Sequence, residues 1–312
     1  MENKEKSFVS AVVYVHNASG RVGKFIQTLI EVLGNNFEHS EIICVNDASD
    51  DGCVDEVRHV GENSIGVSVT VLNMSFFHGV ELAMSAGVDL AIGDFVFEFD
   101  STVLDFSPSV IMQVYRRSLE GYDIVSASPD IASKLSSRIF YGTFFKYSNI
   151  SYKLTTERFR VLSRRVINRI GSMNNTVIYR KALYVNSGLK MDNIRYDAIS
   201  TGEVGVDGAE KTYRSNLAVD SLIVFTDIGY KFSRIMTVLM MVVSLLMAVY
   251  TVVIYLSQQP VAGWTTTVLF LSVSFFGLFA ILTVIIKYLQ LIVDMLYKRK
   301  HYSFISIEKL TK

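Results

Sequence analysis

Two long runs without a single charge set the strongest constraint on this chain. From Ile235 to Ser257 the sequence reads IMTVLMMVVSLLMAVYTVVIYLS, and from Thr265 to Ile286 it reads TTTVLFLSVSFFGLFAILTVII. A helix rising about 1.5 Å per residue crosses a hydrocarbon core of about 30 Å with either run. Uncharged runs of this length are rare in soluble folds, so a pair of buried core helices is the weaker reading. The connector from Gln258 to Trp264 is short, carries Pro260 and Gly263 for a reversal, and puts Trp264 where an interfacial aromatic sits. A two-helix transmembrane hairpin is therefore expected over residues 235–286.

The flanks orient that hairpin. Lys231 and Arg234 precede the first run, Lys287, Lys298, Arg299 and Lys300 follow the second, and the connector is uncharged. By the positive-inside rule both ends face the cytoplasm, which predicts a multi-pass membrane protein with two spans and cytoplasmic N- and C-termini. Residues Met1 to Lys6 are polar and charged and show no secretory-signal pattern.

Half of the chain is hydrophobic, an excess for which the two runs supply a location. Thirty basic residues balance thirty acidic ones at a formal net charge of +0, so no global electrostatic footprint for nucleic acid exists and no such partner is expected. Cys44 and Cys53 are too few for a disulfide framework and lack the spacing of a zinc site.

Ahead of the hairpin, residues 7–230 read as one α/β domain. Phe8 to Val15 is an apolar, β-branched run, and Arg21 to Leu33 has helical spacing, with apolar Val22, Phe25, Ile26, Leu29, Ile30 and Leu33. Glu41 to Val45 gives a second strand, Val67 to Leu72 a third, Val80 to Ala91 a helix, and Phe95 to Phe99 a fourth strand. Strands alternating with helices of this length call for a mostly parallel central sheet covered on both faces. In such sheets ligands collect beyond the carboxyl ends of the strands, where this chain has Asn17, Asp47 and Asp100. Taken singly, each is equally an ordinary loop or capping residue.

Taken together, these strand ends resemble the family 2 glycosyltransferases of GT-A fold, in the membrane-anchored branch that moves a sugar from a nucleotide to polyprenyl or dolichyl phosphate. The opening P-V-Y-N-E of that family appears as Tyr14-Val15-His16-Asn17-Ala18, and its D-D-G-S-x-D-G as Asn46-Asp47-Ala48-Ser49-Asp50-Asp51-Gly52. Its R-N-F-G-H is similar to Met74-Ser75-Phe76-Phe77-His78, its D-x-D-L-Q-D to Asp100-Ser101-Thr102-Val103-Leu104-Asp105, and its G-D-F-R-L to Glu157-Arg158-Phe159-Arg160-Val161. The resemblance implies Asn17, Asp47 and His78 on the nucleotide side, with Asp47 holding the base. It implies Mg²⁺ or Mn²⁺ in an active enzyme, held at Asp100 with Thr102 or Glu98, and Arg160 receiving the lipid phosphate. Asp100 and Arg160 are then the catalytic pair, and Asp47 and Asp100 are expected over a shared cleft.

Four departures stand against the pattern: the first motif has lost its glutamate, Met74 replaces a phosphate-side arginine, Thr102 replaces the second metal acid, and Arg158 replaces the candidate base. Glu98, two residues before Asp100, would share its face if the strand continues, or would be a plain strand carboxylate. A structural salt bridge is an equal reading of Arg160. Segments 131–152 and 213–232 interleave basic and apolar residues as juxtamembrane helices do, and 287–312 reads as a cytoplasmic basic tail.

Two functions remain. The first is an enzyme with a nucleotide sugar and a polyprenyl phosphate lipid as its substrates, working at the cytoplasmic face of the membrane. The second is a catalytically impaired descendant that serves as a binding or assembly partner, as a homo-oligomer or with another membrane protein.

Overall fold

Val9–Val15 (β1) is buried along its whole length. It lies between two parallel neighbours, and a strand covered on both faces needs apolar side chains at nearly every position. A computed structural model describes residues 4–130, 142–143, 156–172, 179–199, 208–225 and 302–311, with scattered residues between 232 and 292. The chain divides into two compact units, one of Met1–Phe145, Ile150–Ala218 and Arg299–Lys312, the other of Lys146–Asn149 and Val219–Lys298.

In the first unit the elements run β1, α1 (Val22–Asn36), β2 (Ser40–Asn46), α2 (Cys53–Glu62), β3 (Ser68–Met74), α3 (Val80–Leu90), β4 (Phe95–Phe99), α4 (Ser109–Leu119) and β5 (Ile124–Pro129). They continue with β6 (Phe159–Ser163), α5 (Arg164–Ser172), α6 (Arg180–Asn186), β7 (Met191–Tyr196), α7 (Gly208–Phe225, of which the residues from Val219 on belong to the second unit) and β8 (Phe304–Lys309). Together the strands form one sheet in the order β7-β5-β6-β4-β1-β2-β3-β8. The expected parallel core β3-β2-β1-β4 is present, while β6 runs antiparallel between β4 and β5.

Helices cover both faces of the sheet. On one face Val22, Phe25, Ile26, Leu29 and Leu33 of α1, spaced for a single helical stripe, join the core with α2 and α4. On the other, α3 lies close enough that a Cβ on Gly87 would sit 2.4 Å from Val12 Cγ1 and 2.6 Å from Val45 Cγ2. A side chain there would push the helix off the sheet, so Gly87 fixes how closely α3 approaches β1 and β2.

Within the C-terminal segment expected as a basic tail lies a strand. Residues 304–309 form β8, antiparallel to β3 at the sheet edge with Leu72 opposite Ile307. Arg58 clamps Glu308 with Nε and Nη2 at 3.1 and 3.2 Å, and Asn73 Nδ2 donates to Glu308 Oε1 at 2.8 Å. The sequence FISIEK hid this strand because its alternation is short and half polar.

The second unit holds described residues of both uncharged runs. A Cβ on Gly277 would lie 1.9 Å from Met240 Cε, and Lys287 pairs with Asp220 at 2.9 Å. Among the described residues no helix is long and apolar enough to cross a membrane. Much of both expected spans, the connector 258–264 and all but residues 142–143 of segment 131–152 lie outside the described residues.

Candidate functional site

The loops beyond β1, β2, β3 and β4 lie along one edge of the sheet, as the alternation of strands and helices requires. Asp47 follows β2, but its carboxylate turns inward and is fully buried. It accepts the backbone N–H groups of His78 and Gly79, each at 2.8 Å, and the Tyr14 hydroxyl at 3.1 Å. Burial raises its pKa above the ordinary carboxylate value, and these donors offset only part of that rise. Asp47 therefore organises the turn into α3, through donors that lie within the fold; the resemblance implies that it holds the base over a cleft shared with Asp100.

His78 and Asn17 are likewise engaged in the protein's own framework. The His78 Nδ1–H donates to the Phe76 carbonyl at 2.5 Å, Nε2 accepts the Ser303 N–H at 3.2 Å, and the ring stacks on Phe76 with centroids 4.1 Å apart. Asn17 sits at φ 44°, in the left-handed region. It accepts the Asp50 N–H at Oδ1, donates its own N–H to Ser49 Oγ, and so ties the first loop to the second. Tyr213 of α7 lies over Gly79.

Glu98 lies near the end of β4 and Asp100 just after it, and arginines engage both carboxylates. Glu98 and Asp100 both face the guanidinium groups of Arg160 and Arg180. Arg160 donates from Nη1 to Glu98 at 2.8 Å, from Nη2 to Asp100 at 2.8 Å and from Nε to Glu157 at 3.1 Å. Arg180 donates from Nη1 to Glu98 at 2.6 Å, from Nη2 to Asp100 at 2.6 Å, and from Nε and its backbone N–H to Glu81 at 3.0 and 2.9 Å. The Tyr184 hydroxyl completes Glu98 at 2.6 Å. Glu98 and Arg160 are fully buried, whereas the Asp100 side chain keeps 23% of its surface exposed.

Electrostatics fix these charges in place. Burial works against the ionisation of Asp100, but the charges of Arg160, Arg180 and Lys181 outweigh it and hold the carboxyl well below the usual range. Burial likewise opposes the charge of both arginines, and the surrounding acidic groups, Asp100 and Glu98 first among them, more than offset it, so both are held firmly cationic. Each of the three Arg160 nitrogens serves a carboxylate, the arrangement that the salt-bridge reading of this residue expects.

The rest of the stretch from Asp100 to Asp105 follows the same rule. Thr102 Oγ1 accepts Arg21 Nε at 3.1 Å, and Arg21 Nη2 reaches the Asn17 carbonyl at 3.2 Å. Asp105 is gripped by Arg158 and accepts the Tyr196 hydroxyl at 3.1 Å.

Residues 10–183 match the model of the family described as glycosyl transferase family 2, more than half of the chain. The chain belongs to glycosyltransferase family 2. It is similar to the uncharacterized glycosyltransferase sll0501 of Synechocystis, 27% identical over 195 residues, which is 61% of this chain and 60% of that protein. It is also similar to the prophage bactoprenol glucosyl transferase homolog of Escherichia coli, 27% identical over 197 residues, 60% of this chain and 62% of that protein. The chain thus spans less than two thirds of the length of these relatives.

Among solved structures, the mannosyltransferase of Pyrobaculum calidifontis in complex with GDP-Man and Mn²⁺ superposes with a TM-score of 0.50 at 14% identity, covering 70% of this chain and 63% of that one. That likeness shows the GT-A fold.

The oxygen donors expected to hold Mg²⁺ or Mn²⁺ do not fit that role in this family 2 chain. A hard divalent cation needs free oxygen lone pairs from one or two carboxylates. Both oxygens of Glu98 and of Asp100 already accept guanidinium protons, and Thr102 accepts from Arg21. Among the described residues, no group of three or more His, Cys, Asp or Glu side chains is arranged for a metal. Sequence reading missed Arg180, Glu81, Tyr184 and Arg21. The one visible signal was Arg160 itself, a cation inside the apolar strand FRVLS, which must find carboxylates to be buried.

Proposed function

We propose that this chain is a membrane-anchored glycosyltransferase that moves a sugar from a nucleotide sugar to polyprenyl phosphate at the cytoplasmic face. The observation that carries the proposal is the return of the chain after the two uncharged runs. Strand β8 pairs with β3, and just ahead of it the Ser303 N–H meets His78 at the end of the parallel strands. The edge of the sheet that takes a donor in this fold is thereby joined in sequence to the segment that would meet a lipid acceptor. Contact between the two runs at Gly277 and Met240 supports a hairpin anchor.

The chemistry suits the residues present. An oxygen of the acceptor phosphate attacks the anomeric carbon, the bond from that carbon to the nucleotide diphosphate breaks, and the nucleoside diphosphate leaves with the electron pair. The attacking phosphate is already ionised, so no base has to remove a proton. Arg158 at the base position is then no obstacle. What the chain must supply is positioning and positive charge for the departing diphosphate, and Arg21, half-buried beside Thr102, is suited to supply it.

A second reading, a non-catalytic binding or assembly partner, is favoured by one observation: Glu98, Asp100 and Asp105 are all engaged by arginine. Detergent-purified protein, incubated with undecaprenyl phosphate and radiolabelled UDP-glucose, UDP-GlcNAc or GDP-mannose, separates the two. Label passing into the organic-extractable fraction supports the transferase. Nucleotide binding without transfer from any donor supports the second reading.

A further inference from the structure

Each oxygen-bearing position that would face a cation in the stretch from Asp100 to Asp105 is met by an arginine from elsewhere in the fold. Asp100 meets Arg160 of β6 and Arg180 of α6, Thr102 meets Arg21 at the start of α1, and Asp105 meets Arg158 just before β6. We infer that this chain has exchanged the divalent cation of its donor site for guanidinium groups. In this arrangement Arg160 and Arg180 are the permanent counter-charges of Glu98 and Asp100, and Arg21 is the cation that meets a nucleotide diphosphate. The role of Arg21 rests on the donor-binding part of the function proposed above; the exclusion of a divalent cation by Arg160 and Arg180 does not.

Neither of the two inner arginines can swing aside to admit a metal. Arg160 is pinned at Glu98, Asp100 and Glu157, and Arg180 is pinned at Glu98, Asp100 and, through both side chain and backbone, at Glu81. Freeing Asp100 for coordination would strip two buried guanidinium groups of a partner, and a buried charge without its partner is strongly disfavoured. Substitution of one cation by another leaves Asp100 neutralised, which accounts for a carboxylate persisting at a position without a second metal acid. Arg21 differs from the inner pair. It is only half-buried, its contacts are to a hydroxyl and a carbonyl, and these use part of its donor set. A guanidinium with N–H groups to spare is the side chain best matched to paired phosphate oxygens.

The test uses the full-length protein in detergent. Free Mn²⁺ is measured by electron paramagnetic resonance during titration of the wild type, Asp100→Asn and Arg180→Gln. UDP and GDP binding is measured by calorimetry in EDTA and in MnCl₂, on the wild type and Arg21→Gln. The wild type is expected to retain no stoichiometric Mn²⁺, and to bind a nucleotide equally, within about twofold, in EDTA and Mn²⁺. Arg21→Gln should weaken that binding about tenfold in both buffers, a step of roughly 1.4 kcal/mol. Arg180→Gln, if it folds, should gain Mn²⁺ retention; if it does not fold, the wild-type titration decides alone. Stoichiometric Mn²⁺ on the wild type that disappears in Asp100→Asn, or nucleotide binding abolished by EDTA, overturns the inference. Absence of binding by both nucleotides in both buffers overturns the donor-binding reading and the role of Arg21 with it, while the Mn²⁺ titration still judges the arginine pair.

Discussion

Arg158 and Asp105 form a two-oxygen ion pair, with Arg158 Nε 3.0 and 2.9 Å from the two carboxylate oxygens. One residue stands where a base was expected and the other closes the acidic stretch, so the change at the base position has a structural partner. Asp105 is buried while Arg158 is nearly a third exposed, and burial disfavours the Arg158 charge less than Asp105 and Tyr196 together favour it. Arg158→Ala should therefore strand the Asp105 carboxylate and cost about 2–3 kcal/mol, below the range for a wholly buried pair. Replacing both, as Arg158→Met with Asp105→Leu, should recover most of that loss. Urea denaturation of the two singles and the double gives the coupling, and strict additivity would contradict it.

Asp47 should behave as a structural residue. Asp47→Ala removes the acceptor for two backbone N–H groups and the Tyr14 hydroxyl, all inside the protein. Leaving the His78 and Gly79 N–H groups unpaired should cost about 2–4 kcal/mol, visible as a fall in Tm. A variant that melts with the wild type would show that the carboxylate is not the keystone of the turn into α3.

Much of this fold was legible and much of the site was not, for one physical reason. Strands β1 to β4 and helices α1 and α3 are encoded by local apolar periodicity, and their order alone places Asp47 and Asp100 at strand ends. Helix α2 escaped because CVDEVRHVGE carries few apolar residues, and β8 because its pairing with β3 joins distant parts of the chain. The partners of Asp100 are encoded in no local pattern: Arg160 is 60 residues away and Arg180 is 80. The sequence shows which side chains reach the edge of the sheet, but only the packed structure shows whether they arrive already paired.

The pH dependence of stability carries the mark of Asp100. Its folded pKa is depressed, so its stabilising contribution is complete above the unfolded value of about 3.9 and is lost as pH falls from there towards the folded value. Asp47, whose pKa is raised, acts with the opposite sign: the folded state takes up that proton first, so acidification through the window above about 3.9 favours folding at that site. Asp100→Asn should thus be less stable than the wild type by a constant amount above about pH 5, with the two curves converging below about pH 4. Thermal melts from pH 3 to 8 check the pattern, and a gap that widens in acid contradicts it.

Gly79 is constrained twice. Its φ of 80° with ψ of 159° is a conformation that L side chains rarely adopt, and a Cβ there would lie 2.2 Å from the Tyr213 ring. Gly79→Ala should destabilise the domain by about 2–4 kcal/mol through strain and clash together. Adding Tyr213→Ala should relieve the clash and leave the strain, so the double variant should recover part of the loss and not all of it. Full recovery would mean that the backbone conformation carries no penalty.

The pairing of β8 with β3 also makes the proposed membrane topology testable. Both strands belong to one sheet, so a chain that enters a bilayer after α7 must leave it on the side from which it entered before it can reach Phe304. An even number of crossings satisfies this, and the two uncharged runs would provide two in the proposed topology; a single crossing would strand β8 and leave the β3 edge unpaired. Ile65, in the α2–β3 loop ahead of the runs in sequence, and Ile305, in β8 after them, are both well exposed, while the native Cys44 and Cys53 are buried. In cells, Ile65→Cys and Ile305→Cys should both resist a membrane-impermeant maleimide and both react once the membrane is permeabilised. If one cysteine reacts in intact cells and the other does not, the two ends lie on opposite sides, and β8 cannot close the sheet in the membrane-bound protein.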